Sequence, residues 1–297
     1  MTTPDPDLER RLWTALDERA LVLHYQPVVG LHDATLAAAE ALLRWRHGTE
    51  LVSAGAFLPH ITDPDLVRAV STFTFEEAAR QAATWQRRFP TWIFPVTVNV
   101  GIVEFTDDLV ERIGSLRARH GLPSGALGID VSEPLLLADA GHAGPGHAGP
   151  EHTGARIAAI KQAGAQVFVD DFGTTHTNRD DAPVTRSTEE LLRSLVALER
   201  FRIDVLKVDR EVVDRCFASA SHDVDVVRSL VKVAHLSGFR ILAEGVETGD
   251  EAESLRQIGF DLAQGYYFQR PHDPGHIDRL LHDLADAREA FATQRTG

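Results

Sequence analysis

Short runs rich in β-branched and other apolar residues alternate with longer amphipathic stretches along most of the chain, and this alternation restricts the fold more than any other feature. Strands are expected at 21–29, 36–43, 93–100, 126–131, 166–169, 203–208, 240–243 and 262–264. Helices are expected at 65–88, 107–120, 156–163, 188–200, 223–237 and 250–258, each with apolar residues at three and four spacing. Strand and helix in turn imply parallel pairing with crossover helices. The first two strands differ, because Gly30, His32 and Asp33 leave only a short turn, and a short turn makes an antiparallel hairpin. The expected fold is therefore α/β, a modified TIM-type (β/α)8 barrel with one antiparallel strand. A chain of 297 residues is long enough for one such barrel.

Charge and cysteine usage narrow the partners. The net charge of −14 argues against a protein that grips DNA or RNA through a basic face. An anionic ligand would need metal ions or local cations. One cysteine, Cys216, permits no internal disulfide and fits a reducing cytoplasm. No apolar run is long enough for a membrane span, and the polar start lacks a signal-peptide core, so a cytoplasmic protein with no membrane partner is expected.

Two segments break the rhythm. Residues 138–154 carry the near-repeat AGHAGPGHAGPEH and are expected as a flexible loop, its histidines His142, His147 and His152 lacking a preformed metal geometry. Residues 174–183, TTHTNRDDAP, are polar and follow a strand end directly. The pairs Arg10-Arg11 and Arg87-Arg88 read as solvated helix faces, and Phe73, Phe75, Trp85 and Trp92 as packing rather than as a base-stacking platform.

In a parallel barrel the carboxyl ends of the strands converge on one face, where such folds place their sites. Here those ends supply Glu40, Asn99, Asp130, Asp170 with Asp171, Lys207 with Asp209, Glu244 and Gln264. One carboxylate after a strand is commonly the N-cap of the next helix. Acids at five strand ends are not explained that way. Carboxylates packed in one mouth repel each other, and a bound divalent cation relieves the repulsion. Oxygen ligands with one amide suit Mg²⁺ or Mn²⁺ rather than zinc. Adjacent Asp170 and Asp171 could bridge two ions, the arrangement used for in-line displacement at phosphorus.

The stretches Tyr25-Gln26-Pro27, Glu40-Ala41-Leu42-Leu43-Arg44-Trp45, Val98-Asn99-Val100, Asp170-Asp171-Phe172-Gly173, Leu206-Lys207-Val208-Asp209-Arg210, Ala243-Glu244-Gly245-Val246-Glu247-Thr248 and Gln264-Gly265-Tyr266 resemble the EAL phosphodiesterases in order and position. The resemblance runs from about residue 12 to residue 273. It places the barrel domain at 12–285, between an N-terminal extension at 1–11 and a tail at 286–297. The resemblance implies hydrolysis of cyclic di-GMP to the linear dinucleotide pGpG, with two ions, Mg²⁺ or Mn²⁺. It gives one metal to Glu40, Asn99, Asp130 and Asp170 and the second to Asp170, Asp171 and Glu244. Lys207 would orient the attacking water, and Glu244 is also a candidate base. Gln26, Leu42, Arg44, Glu247 and Gln264 would seat the dinucleotide, Arg44 through its fork of donors. Glu133 would pin the loop after the paired aspartates, and a homodimer is implied.

The sequence departs from the family at two places. The motif Glu-x-Thr-Glu reads Asp130-Val131-Ser132-Glu133, so the first acid is one methylene short. After Gly173-Thr174 the family pattern is lost, and the stretch that leads to Lys207 is longer, the remodelled part running over 174–192. Three functions remain open at this stage: a metal-dependent phosphodiesterase, a degenerate domain that binds cyclic di-GMP or a protein partner without cutting, and a barrel hydrolase for another phosphoester or a sugar.

Overall fold

The computed structural model describes residues 6–33, 35–137, 150–174, 186–214, 217 and 221–294. Eight strands close a barrel: β1 (Leu21–Gly30), β2 (Leu36–His47), β4 (Val96–Val100), β5 (Leu127–Ser132), β6 (Ala165–Phe172), β7 (Val205–Val208), β8 (Arg240–Ala243) and β9 (Leu262–Ala263). β1 pairs antiparallel with β2 and with β9, and the other barrel pairings are parallel. The expected barrel with one reversed strand is what the chain forms.

The helices follow the expected order: α2 (Pro64–Arg88), α3 (Asp107–His120), α5 (Pro150–Gln162), α6 (Thr188–Glu199), α8 (Ser221–Leu236) and α9 (Gly249–Ile258). Local signals set their ends. Asp63 caps α2 ahead of Pro64, Gly121 ends α3 at φ +64°, and Ser187 with Glu190 forms a capping box on α6. The described residues also form α1 (Pro6–Asp17), α4 (Glu133–Leu137), α7 (Arg210–Val213) and α10 (Pro274–Gln294). No helix of the described residues is long and apolar enough to cross a membrane.

Several boundaries differ from the sequence expectation, each for a physical reason. β4 begins at Val96, because Pro95 has no N–H to donate to a ladder; its carbonyl accepts from Ala39 at 2.9 Å instead. β7 begins at Val205, since the Asp204 carboxylate turns back to accept from Val167 N and Lys161 Nζ. β2 runs on to His47 and folds back as β3 (Glu50–Ser53) through a two-residue turn with Gly48 at φ +62°. Glu40 thus lies inside β2 rather than at its end. Residues 150–154, expected in a loop, open α5, which places exposed His152 on a helix; His142 and His147 lie outside the described residues, as does 175–185.

The core has two parts. A large apolar layer lies between barrel and helices and holds buried Phe75 and Trp85, with Phe73 and Trp92 packed against it, as packing residues. A small plug fills the barrel itself: Val28, Ala38, Phe168, Val205, Leu242 and Leu262. Strand side chains alternate between faces, so the residue two positions away points inward too. Those residues are Gln26, Glu40, Asp170, Lys207, Glu244 and Gln264. On β5 the inner position below Asp130 is Gly128, where a Cβ would lie 2.9 Å from Thr97 Cγ2. The period-two pattern therefore stacks a polar layer directly on the apolar plug.

Candidate metal centre

Lys207 occupies the centre of that polar layer. Its Nζ lies 3.0 Å from Asp130 Oδ2, 3.0 Å from Asp170 Oδ2, 3.0 Å from Glu244 Oε1 and 3.6 Å from Glu40 Oε2, and the side chain is 2% exposed. Burial alone would depress the lysine's pKa, but the surrounding carboxylates outweigh it and hold the ammonium well above its ordinary range. Asp130 moves the other way for an acid. Burial raises its pKa well above the usual value, with Lys207 opposing the rise and Asp170 and Glu40 adding to it. Burial likewise lifts Glu244 to about 8, against the pull of Lys207. Four carboxylates around one ammonium leave excess negative charge in a desolvated site.

The second ring of contacts orients this cluster. Asn99 Nδ2 donates to Glu40 Oε1 at 2.9 Å, and Gln264 Nε2 donates to Glu40 Oε2 at 2.7 Å and to Gln26 Oε1 at 3.2 Å. Gln26 in turn donates to the Gln269 carbonyl at 3.1 Å. Asp170 Oδ1 accepts from Asp171 N at 2.9 Å, and Asp171 itself sits at φ +58°, a left-handed conformation that a non-glycine residue keeps only when its surroundings hold it. Gly173 follows at φ +93°, where a Cβ would meet Val212 Cγ2 at 2.4 Å, and its N–H donates to Glu133 Oε2 at 3.2 Å. At β8 the Arg210 guanidinium donates to the Gly245 carbonyl and lies 3.8 Å from Glu247 Oε1, tying the turn that carries Glu244 and Glu247.

These residues fit a hard divalent cation. One carboxylate oxygen from each of Glu40, Asp130 and Asp170 lies within 4.8 Å of the others. Asp130 Oδ1 and Gln264 Oε1 are buried acceptors with no hydrogen-bond partner, a costly arrangement unless a further group completes it. The donors are oxygens, as Mg²⁺ and Mn²⁺ prefer. Asp170, Asp171 and Glu244 do not form a second group of that closeness among the described residues.

Two cavities open beside the cluster. One of about 490 Å³ is bordered by Asn99, Asp130, Asp170 and Asp171 on one side and by apolar Leu58, Pro59 and Val67 on the other. The second, of about 330 Å³, takes in Gln26, Glu40, Glu244, Glu247, Gln264 and Tyr266. Leu42 lines both. Arg44 is half-buried on the same strand, its Nη1 donating to the Leu43 carbonyl at 2.9 Å.

The structure places Gln26, Glu40, Asn99, Asp130, Asp170, Lys207, Glu244 and Gln264 close together, with Leu42, Asp171 and Glu247 on the cavity walls; sequence reasoning had picked out each of them. It missed Arg186, whose Nη1 lies 2.8 and 2.7 Å from the two oxygens of Glu133. No spacing or motif marks that residue, because its partner is 53 positions away.

Comparison with known proteins follows the same outline. The family described as "EAL domain" matches residues 9–182 and 191–271. The bifunctional diguanylate cyclase/cyclic di-GMP phosphodiesterase MucR of Pseudomonas aeruginosa is 30% identical over 263 residues, covering 86% of this chain and 34% of that protein. An uncharacterized protein of Azorhizobium caulinodans is 32% identical over 285 residues, covering 93% of this chain and 35% of the relative. The chain therefore spans about a third of the length of these relatives. The solved structure of the PaMucR phosphodiesterase in complex with c-di-GMP superposes with a TM-score of 0.75 at 28% identity, over 91% of this chain and 99% of that one.

Proposed function

The chain belongs to the EAL domain family, and on that premise we propose that it is a metal-dependent phosphodiesterase that hydrolyses cyclic di-GMP to pGpG with two divalent ions. The observation that carries the reading is the cluster of Glu40, Asp130 and Asp170, with an unpartnered buried Asp130 oxygen, beside two cavities that share Leu42 in their walls.

Mg²⁺ or Mn²⁺ held there would supply Lewis acidity at the phosphodiester and lower the pKa of a water. Glu40, Asn99, Asp130 and Asp170 would hold one ion. The second is given to Asp170, Asp171 and Glu244 by the family resemblance, without a comparably close grouping of those three among the described residues behind it. The chain's own groups do the rest. Lys207 keeps its charge at neutral pH because carboxylates surround it, so it can donate to a water or phosphate oxygen and hold it in line. Glu244, on the cavity wall, could accept the proton that the water loses once its own has been displaced on ion binding. Gln26, Leu42, Arg44, Glu247 and Gln264 would seat the two nucleotides. The cytoplasmic compartment and the homodimer that the resemblance implies belong to the same proposal.

A second reading, a domain that holds the dinucleotide or a protein partner without cutting it, is favoured by one observation. The match to the family breaks between residues 182 and 191, within the remodelled stretch that follows Asp170 and Asp171. The two readings separate in one comparison: ligand affinity by calorimetry with EDTA present, and chromatography for pGpG with Mn²⁺ present. Tight binding with product supports the enzyme. Tight binding with none supports the receptor.

A further inference from the structure

We infer that Arg186 is a positioning residue for Asp170 and Asp171, acting through Glu133 and Gly173; the inference rests on the proposed metal site. Glu133 opens α4 right after β5, and its side chain is 4% exposed. One of its oxygens accepts from Gly173 N at 3.2 Å, and both accept from Arg186 Nη1 at 2.7 and 2.8 Å. Gly173 and Arg186 flank the stretch 174–185. A single buried carboxylate thus receives Gly173 from just before the remodelled stretch 174–192 and Arg186 from within it, at the break in the family match.

The other half of the guanidinium reaches α6: Arg186 Nη2 donates to Ser194 Oγ and to the Glu190 carbonyl. Arg186 immediately precedes Ser187, the N-cap of that helix. The fork therefore ties α6, α4 and the turn after β6 to one point, which a lysine with a single donor centre would not do. The mechanical consequence falls on Asp171. Its left-handed backbone is followed by the Thr174 N to Asp171 carbonyl bond at 3.1 Å and by the left-handed Gly173. Such a turn keeps its shape only while its neighbours over-determine it. Without Arg186 the Glu133 carboxylate loses the partner that fixes its orientation, and Gly173 N–H loses a fixed acceptor. The ligand directions of Asp170 and Asp171 then loosen.

The test uses the full chain, with Mn²⁺ as the probe in titration calorimetry and cyclic di-GMP as substrate. Arg186→Ala should weaken Mn²⁺ binding and lower kcat by about 10- to 100-fold, the usual effect of removing a group that orients metal ligands, while KM changes by less than about threefold. Arg186→Lys should recover part of both losses. Mn²⁺ affinity within about twofold of the parent in folded Arg186→Ala protein overturns the inference, whatever happens to its melting temperature. If Arg186→Ala does not fold, Ser194→Ala releases only one end of the fork and should shift Mn²⁺ affinity in the same direction; unchanged affinity there overturns it as well. A parent that binds Mn²⁺ but makes no pGpG sinks the phosphodiesterase reading alone, and the Mn²⁺ comparison still decides the role of Arg186. A parent that binds no Mn²⁺ overturns both.

Discussion

Lys207 Nζ lies 3.0 Å from Asp130 Oδ2, while the other oxygen of that carboxylate is buried without a partner. The shorter acid is thus engaged on one side and open on the other. A carboxylate oxygen left open in this way keeps a lone pair available to a further group.

Asp130→Glu is expected to maintain or raise hydrolysis, because it restores the reach of the family motif from the same strand position. Steady-state kinetics in Mn²⁺ checks this. A loss beyond about tenfold would show that the site has been rebuilt around aspartate.

Lys207→Met should destabilise the metal-free protein by about 3–5 kcal/mol, since it leaves buried carboxylates without their counter-charge. Mn²⁺ should recover much of that stability but not activity. Thermal melting with EDTA and with Mn²⁺ reads both effects; equal losses in the two conditions would argue that the lysine does not share its carboxylates with a metal.

Stability of the metal-free protein should fall as pH rises from the ordinary carboxylate range toward about 8. Glu244 holds its proton up to about 8 in the folded chain, so over that window the folded state binds more protons than the unfolded one, and raising pH favours unfolding. Mn²⁺ should flatten the slope by favouring the ionised carboxylate. Melting temperatures between pH 5 and 8 in EDTA and in Mn²⁺ test the sign; a metal-free stability that rises across the window contradicts it.

Phe168→Ala should cost about 3–5 kcal/mol, because Phe168 is the largest member of the plug and is buried. Denaturant unfolding measures the loss. The cavity would open beneath Asp170, so Mn²⁺ affinity should fall as well.

What the sequence disclosed and what it hid divide along physical lines. Convergence of strand ends on one face let Glu40, Asp130, Asp170, Lys207 and Glu244 be assigned to one mouth from the sequence, although Glu40 reaches it from within β2. The alternation of faces that stacks them on the plug is seen only with the plug residues in place. Turn chemistry was legible where it is local, as at Gly30 to Asp33. The β2–β3 hairpin is hard to read from the sequence because β3 is only four residues long and Gly48-Thr49 is not one of the Asn-Gly or Asp-Gly pairs that mark a tight hairpin. The Lys207-centred ion cluster was only partly legible: strand-end logic places the lysine near the acids, but not 3.0 Å from three of them. The pairing of Arg186 with Glu133 joins distant segments by side-chain reach, which no periodicity encodes.

The most direct test follows cyclic di-GMP over time with purified protein and Mn²⁺, by chromatography, beside the same protein in excess EDTA and the Asp170→Asn variant. The account predicts steady conversion to pGpG with Mn²⁺, none with EDTA, and none from Asp170→Asn, whose metal affinity should also fall further than that of Asp130→Asn. Intact cyclic di-GMP in all three reactions, or product formed equally in EDTA, would contradict it.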